Sequence, residues 1–262
     1  MASKYLNSLS DVAYKDLTDK LFSIQNGICF ICQNPIDLEL HSTNVDHIVP
    51  LANKGKDSEE NFALTHESCN KSKQDANLEI ARMLHFLQNL QDEINEHDTR
   101  SASLKDLLFK LSGSKYDFKH KINEEYLEYS FDKNGDTSIK RTKIFKDPLS
   151  KELTCFIEIP IEYLFHDSLI NPRGINSSIN LLVKEFYIGN PQLHLTLARI
   201  DDNKIKVFDG QHKAVAQLLL GNRTLLIRLF INPDVDRLIE TNTNAGSTLR
   251  QIAFDKSIMR KL

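Results

Sequence analysis

The sequence has no long apolar run. Nowhere does it approach the roughly 18 consecutive apolar residues that a membrane helix requires, so no membrane partner is expected. The first residues, MASKYLNSLSDVAYKDL, lack the apolar stretch of a secretory leader and already carry Asp11, Lys15 and Asp16, which points to a cytoplasmic protein. Cysteine is scarce, with four in 262 residues, and in a cytoplasmic chain these are expected as metal ligands or buried thiols rather than disulfides. A strong positive balance is missing as well. With 33 Lys and Arg against 36 Asp and Glu, the net charge of −3 argues against a strongly basic nucleic-acid binder. The average hides one imbalance, because from Leu197 onward 11 basic residues face 7 acidic ones. That excess suits a phosphate-facing surface, or simply a solvated face with no partner. There is no internal repeat and no low-complexity tract.

What is present is an ordinary globular composition, 40% hydrophobic and 26% charged, in a length that fits two domains better than one. The fold class expected is α+β. A first helix is predicted over Asp11 to Gln25, with Ala13, Leu17 and Leu21 on one face and Gly27 as its stop. Short strands are predicted at Ile28 to Ile31, Val45 to Val49 and Phe62 to Thr65, and helical spacing returns around Cys69. The run from Leu78 to Leu111 reads as a helical spacer broken near Thr99 to Ser103. Beyond Tyr116 the texture alternates. Glu125 to Phe131 is strand-like and is followed by a hairpin turn at Asn134-Gly135. Strand-like and helix-like pieces then run from Thr154 to Ile231, and a last helix-like run covers Thr248 to Leu262. Three parts result: 1–75, a spacer over 76–115, and an α/β domain over 116–262.

Chemistry concentrates first in Cys29 to Lys73. Cys29 and Cys32 form a CxxC, and His66 and Cys69 repeat the spacing as HxxC. Two such pairs can close a tetrahedral Cys3His site for structural zinc. The alternative is two small core residues and an ordinary surface imidazole. Zinc is preferred because the region is too poor in apolar residues to fold without a staple. Between and just after those ligands lie Asp46-His47, Asn61 and Asn70. This stretch resembles the HNH endonuclease family, whose ββα-metal core sets a D-H pair at a strand end, an Asn in the loop and a His or Asn on the following helix. The resemblance implies DNA as substrate. It makes His47 the general base, Asp46 and Asn70 ligands of a catalytic Mg2+ or Mn2+, and Asn61 the residue that orients His47 and fixes the loop. Two departures are HxxC in place of the commoner CxxC and Asn70 in place of His; both still supply competent ligands. Lys54, Lys56, Lys71 and Lys73 could reach phosphates or merely be solvated.

A second constellation is Asp209-Gly210-Gln211-His212-Lys213, between a strand at Ile205 to Phe208 and a helix beginning near Lys213. Strand, polar turn and helix N-terminus make a good anion site, although a tight turn with a basic tip is an equal reading of the residues alone. The stretch resembles the ParB/sulfiredoxin-like superfamily, especially its DGQHR branches. Supporting it are IPIEYLFHDSLINPRG at Ile159 to Gly174 and INPDVDRLIETNTNAGSTL at Ile231 to Leu249. The resemblance implies that Arg173, Asp209, Gly210, Gln211, His212 and Lys213 bind phosphate, either of a nucleoside triphosphate or of DNA. Lys213 stands where Arg is usual and loses bidentate geometry. Cys155 reads as a core thiol. The whole is expected to be a metal-dependent DNA endonuclease under ParB-like control with a restriction or antiphage role, a homodimer being plausible for cutting both strands. Two rivals are a non-cleaving zinc-containing DNA-binding regulator and an NTPase whose nuclease acts on RNA.

Overall fold

Ser3 and Ser10 cap the first two helices, α1 (Lys4–Ser8) and α2 (Asp11–Ile24), each hydroxyl accepting from the backbone N–H three residues on. The computed structural model describes residues 3–73, 76–131 and 138–244. It divides into two compact units, 1–96 and 97–262. Among the described residues, no helix is long and apolar enough to cross a membrane.

In the first unit α2 buries Leu17 and Leu21, one turn apart on one face. They pack with Val45, Phe62, Ala63 and Leu64 of a two-stranded antiparallel sheet, β1 (Thr43–His47) and β2 (Phe62–His66). Helices α3 (Glu67–Lys73) and α4 (Leu78–Asn95) follow, α4 capped by Asn77 and burying Leu78, Ile80, Ala81, Leu87 and Leu90. The register sets Asp46 opposite Ala63 and His47 opposite Phe62, at the end of the sheet where the chain leaves β1 for a long loop.

The strand expected at Ile28 to Ile31 is not there. Ile28 makes one isolated bridge with Pro35. The Cys29 N–H donates to the Asn34 carbonyl and the Gln33 N–H to the Cys29 carbonyl, closing a tight turn. A strand would send residues three apart to opposite faces, whereas a turn lets Cys29 and Cys32 face one point. The second strand is shifted: it ends at His47, and Ile48 instead donates to the Asn61 carbonyl.

The segment 76–115 is shared between the units. α4 lies in the first, and α5 (Leu104–Ser112) lies in the second with Leu104, Leu107 and Leu108 buried. Before α5, Asp106 accepts from the N–H and hydroxyl of Ser103 and from the guanidinium of Arg100, which fixes the helix start.

The second unit is mixed α and β. A three-stranded antiparallel sheet joins β3 (Lys119–Ile122), β4 (Tyr126–Ser130) and β5 (Lys140–Lys143). The predicted turn at Asn134-Gly135 lies outside the described residues, as does Thr248 to Leu262. Next come β6 (Phe145–Lys146), β7 (Leu153–Pro160), β8 (Leu164–His166), α6 (Ile179–Tyr187), β9 (Thr196–Asp201), β10 (Lys204–Asp209), α7 (Gln211–Leu219) and β11 (Thr224–Ile231). Their strands form a six-stranded sheet in the order β6-β7-β11-β9-β10-β8, with β8/β10 and β9/β11 parallel. Cys155, Ile157 and Ile159 alternate with exposed Phe156 and Glu158. Paired β11 buries Leu225, Ile227 and Leu229, so one face of this part of the sheet carries the core. On the opposite parity, Phe230 joins Phe208 and Ile170 in a smaller cluster with Val235, Leu238 and Ile239. Inside the unit Arg199 is buried against Asp167, Nε to Oδ2 2.6 Å, and against Asp201.

Candidate functional site

The knuckle turn and the β2–α3 junction bring four ligands together. The ligand atoms of Cys29, Cys32, His66 and Cys69 all lie within 4.8 Å of one another. His66 Nδ1 is 3.3 Å from Cys32 Sγ and 3.9 Å from Cys69 Sγ, while the His66 N–H approaches Cys29 Sγ at 3.4 Å. Cys29 and Cys32 are buried. Burial, then the neighbouring sulfurs, push the Cys69 thiol up to about 12, and burial raises Cys32 as well. Thiols held protonated by burial and by one another give up their protons only to a cation that binds the thiolates in their place. A tetrahedral Zn2+ with bonds of about 2.3 Å to sulfur and 2.0–2.1 Å to nitrogen fits this donor set and this spacing, with no place for water. The fourth cysteine, Cys155, is fully buried in the second unit and its thiol is pushed up to about 12 by burial alone, as suits a core residue.

At the end of β1, His47 is 7% exposed and its ring edge meets Phe62, centroids 4.9 Å apart. Its Nδ1 lies 3.7 Å from Asp46 Oδ1 and its Nε2 3.0 Å from Asp57 Oδ1. Asp46 also accepts from the His47 N–H, and its second oxygen is paired at 2.8 Å with Lys73 Nζ, a side chain only 6% exposed. Lys73 and Asn70 are three residues apart on α3 and so share a helix face, which sets Asn70 on the side that meets Asp46. The Asn70 Oδ1 is buried and has no hydrogen-bond partner. An orphaned amide oxygen on the helix face that pairs with a carboxylate is a donor set suited to a hard divalent cation that keeps several waters. Of the four lysines expected near phosphate, Lys73 is spent on Asp46, Lys71 pairs with Glu67, and Lys54 and Lys56 are exposed.

Asn61 ties the intervening loop. Its Oδ1 accepts from the Val49 N–H, and its Nδ2 donates to the Val49 and Lys56 carbonyls. Its side chain therefore acts on the loop and makes no hydrogen bond to the His47 ring. Gly55 allows the same close approach, because a Cβ there would lie 1.8 Å from the Val49 carbonyl oxygen.

The residues expected to bind phosphate line one cleft of the second unit, about 790 Å³, with Arg173, Asp209, Gly210, Gln211, His212 and Lys213 on its wall. A register shift at Val207/Asp209 ends β10, and Gly210, at φ 74°, starts α7. Gln211 is buried, donates to the Arg173 carbonyl, and leaves its own Oε1 without a partner. The Arg228 Nε and Thr196 Oγ1 are likewise buried and unpaired. Burial, and then nearby Arg173, lower the pKa of His212, whose Nε2 accepts from the Asn176 N–H.

Sequence reasoning missed Asp57, Ser3 and Tyr5 in the first unit and Asn171, Asn176, Thr196 and Arg228 in the second. Ser3 and Tyr5 meet Asp57 from more than fifty residues away in sequence, and Asn176 meets His212 36 residues on, so spacing does not announce them. Among known proteins, the family model described as HNH endonuclease matches residues 29–76, a little under a fifth of the chain. No curated protein and no solved structure matches the chain.

Proposed function

We propose that this chain is a metal-dependent DNA endonuclease that cuts with its HNH domain and is controlled through its C-terminal unit. One convergence supports the reading. Asp46 and His47 end β1 beside the helix that carries the orphaned Asn70 oxygen, and the Cys3His cluster staples that helix and β2 to the knuckle. Zn2+ is the structural ion. Asp46 and Asn70 hold a Mg2+ or Mn2+ ion, which when bound neutralises charge growing on the phosphate and the leaving oxygen. His47 takes a proton from water. The water oxygen forms the new P–O bond, the bond to the leaving oxygen breaks and that oxygen takes a proton from solvent water, and the imidazolium returns its own proton to solvent. Asn61 holds the loop so that the ring keeps its place.

In this reading residues 1–75 are the nuclease, 76–115 join it to the rest, and 116–262 form a ParB/sulfiredoxin-like domain. Its cleft takes phosphate, of a nucleoside triphosphate or of DNA, on Arg173 and Asp209 to Lys213. A nuclease in a cytoplasm needs restraint, and such a switch fits a restriction or antiphage role, with two copies cutting two strands. The purified protein is to be incubated with plasmid DNA and with RNA, with Mg2+ or Mn2+, with and without each nucleoside triphosphate. Metal-dependent nicking of DNA supports the proposal, and a nucleotide effect assigns the cleft. RNA cleavage alone would replace DNA as the substrate, and absence of cleavage under every condition would overturn the proposal.

One observation favours a second reading. Lys73 neutralises Asp46 at 2.8 Å. Were that pair never to yield to a divalent ion, the fold would serve as a non-cleaving, zinc-containing DNA-binding regulator. A gel shift with DNA and no cleavage in any metal would identify it.

A further inference from the structure

Asp57 lies in the loop between β1 and β2, and its side chain is only a quarter exposed. Its Oδ1 accepts from the Ser3 hydroxyl and stands 3.0 Å from His47 Nε2; its Oδ2 accepts from the N–H groups of Lys4 and Tyr5 at 2.8 and 3.0 Å. Both oxygens are thus fixed by a segment more than fifty residues away in sequence. The same segment is anchored again, since the Tyr5 hydroxyl donates to Glu59 and its ring packs on Phe62, which in turn meets the His47 ring edge. The Ser3 hydroxyl and then the Tyr5 N–H hold the Asp57 carboxyl well below the usual carboxylate range, so it is an acceptor only. A neutral imidazole facing an acceptor-only group must carry its proton on that nitrogen. His47 is then the Nε2–H tautomer, with the Nδ1 lone pair turned toward Asp46, 3.7 Å away.

We propose that Asp57, clamped by Ser3, Lys4 and Tyr5, is the positioning residue that fixes the tautomer and orientation of His47. This deepens the nuclease reading and rests on it for its catalytic consequence. When Nδ1 takes a proton from water, the ring becomes an imidazolium whose Nε2–H still faces a carboxylate, and no further rearrangement is needed. The partners of Asp57 are Ser3, Lys4, Tyr5 and His47, and it is not one of the residues assigned to the metal. It acts through His47.

The test is 15N NMR of the histidine rings in the full-length protein at a pH well above 6.5, with zinc content and Tm as controls on folding. In the wild type, His47 is expected to show a pyrrole-like Nε2 and a pyridine-like Nδ1. The opposite tautomer, or a mixture, overturns the proposal whether or not the protein cleaves DNA, so its failure is separable from failure of the nuclease reading. In Asp57→Asn the amide Nδ2–H faces Nε2 and drives the proton to Nδ1. The expected result is a reversed tautomer and a kcat lower by about 10²–10⁴, the usual worth of a general base, with KM little changed. Asp57→Ala, which leaves the tautomer free, is expected to retain more activity than Asp57→Asn. A merely structural role predicts no such order, and equal kcat in wild type and Asp57→Asn would sink the proposal. If Asp57→Asn fails to fold, Ser3→Ala, which removes one of the carboxylate's donors, is expected to broaden the tautomer distribution; an unchanged one counts against the clamp.

Discussion

Replacing Asn61 with alanine removes three hydrogen bonds at once, one accepted from the Val49 N–H and two donated to the Val49 and Lys56 carbonyls. The bonds to Val49 are half-buried, and the one to Lys56 is exposed. Water can take over the exposed carbonyl but reaches the Val49 groups poorly. At about 1 kcal/mol for each half-buried bond and less for the third, the loss is about 2–3 kcal/mol. For a unit of this size, that lowers Tm by about 10–20 °C. The assay is thermal unfolding of the zinc-loaded protein, followed by near-ultraviolet circular dichroism, with zinc content measured in parallel. Zinc is expected to stay bound, because none of the four ligands touches Asn61. Asn61→Asp is expected to do no better than alanine, since it keeps the acceptor for Val49 N–H but sets a carboxylate against two carbonyl oxygens. An Asn61→Ala protein that melts with the wild type would refute the reasoning that this side chain holds the loop.

Cys69→Ser is expected to lower zinc stoichiometry and to destabilise the first unit strongly, since structural zinc contributes about 10–16 kcal/mol in small zinc peptides; metal analysis and circular dichroism check it. Asp167→Ala strands Arg199 in the second unit. The cost is about 3 kcal/mol, at the low end for breaking a buried pair because Asp201 still holds the guanidinium, and it is read as a shifted denaturant midpoint. Burial lowers the pKa of Lys115 to about 8 from 10.5. The unfolded chain therefore binds more protons above pH 8, so stability of the second unit is expected to rise between pH 8 and 9. Above that the raised Cys155 thiol acts in the opposite sense. Lys115→Met is expected to remove the rise, measured by urea unfolding across that window; a slope that persists would assign it to another group.

Local chemistry was legible in the sequence and distant contacts were not. CxxC and HxxC state their purpose by spacing alone, because two ligands on one turn need only a second such pair, and the four ligand atoms do converge. The helices at Asp11 and Leu78 carried an apolar period and polar caps. Ile28 to Ile31 reads as a strand from its apolar residues, yet the demand that both cysteines face one point turns the chain instead. Helix α1 is five residues long with no buried residue, too short for any period to register. Asp57 looks like one more charge in a polar loop, and its meaning lies in Ser3 and His47, one 54 residues away and one 10. The same holds for Arg228, whose buried Nε only the sheet brings to the wall of the cleft in the second unit.

The central claim is that His47 is the base of a metal-dependent nuclease. The most direct measurement is the rate of nicking of supercoiled plasmid by wild type and His47→Ala, at saturating Mg2+ or Mn2+, on proteins of matched zinc content and Tm. The account expects cleavage by the wild type and a rate about 10²–10⁴ lower in the variant. Equal rates in the two proteins would contradict it.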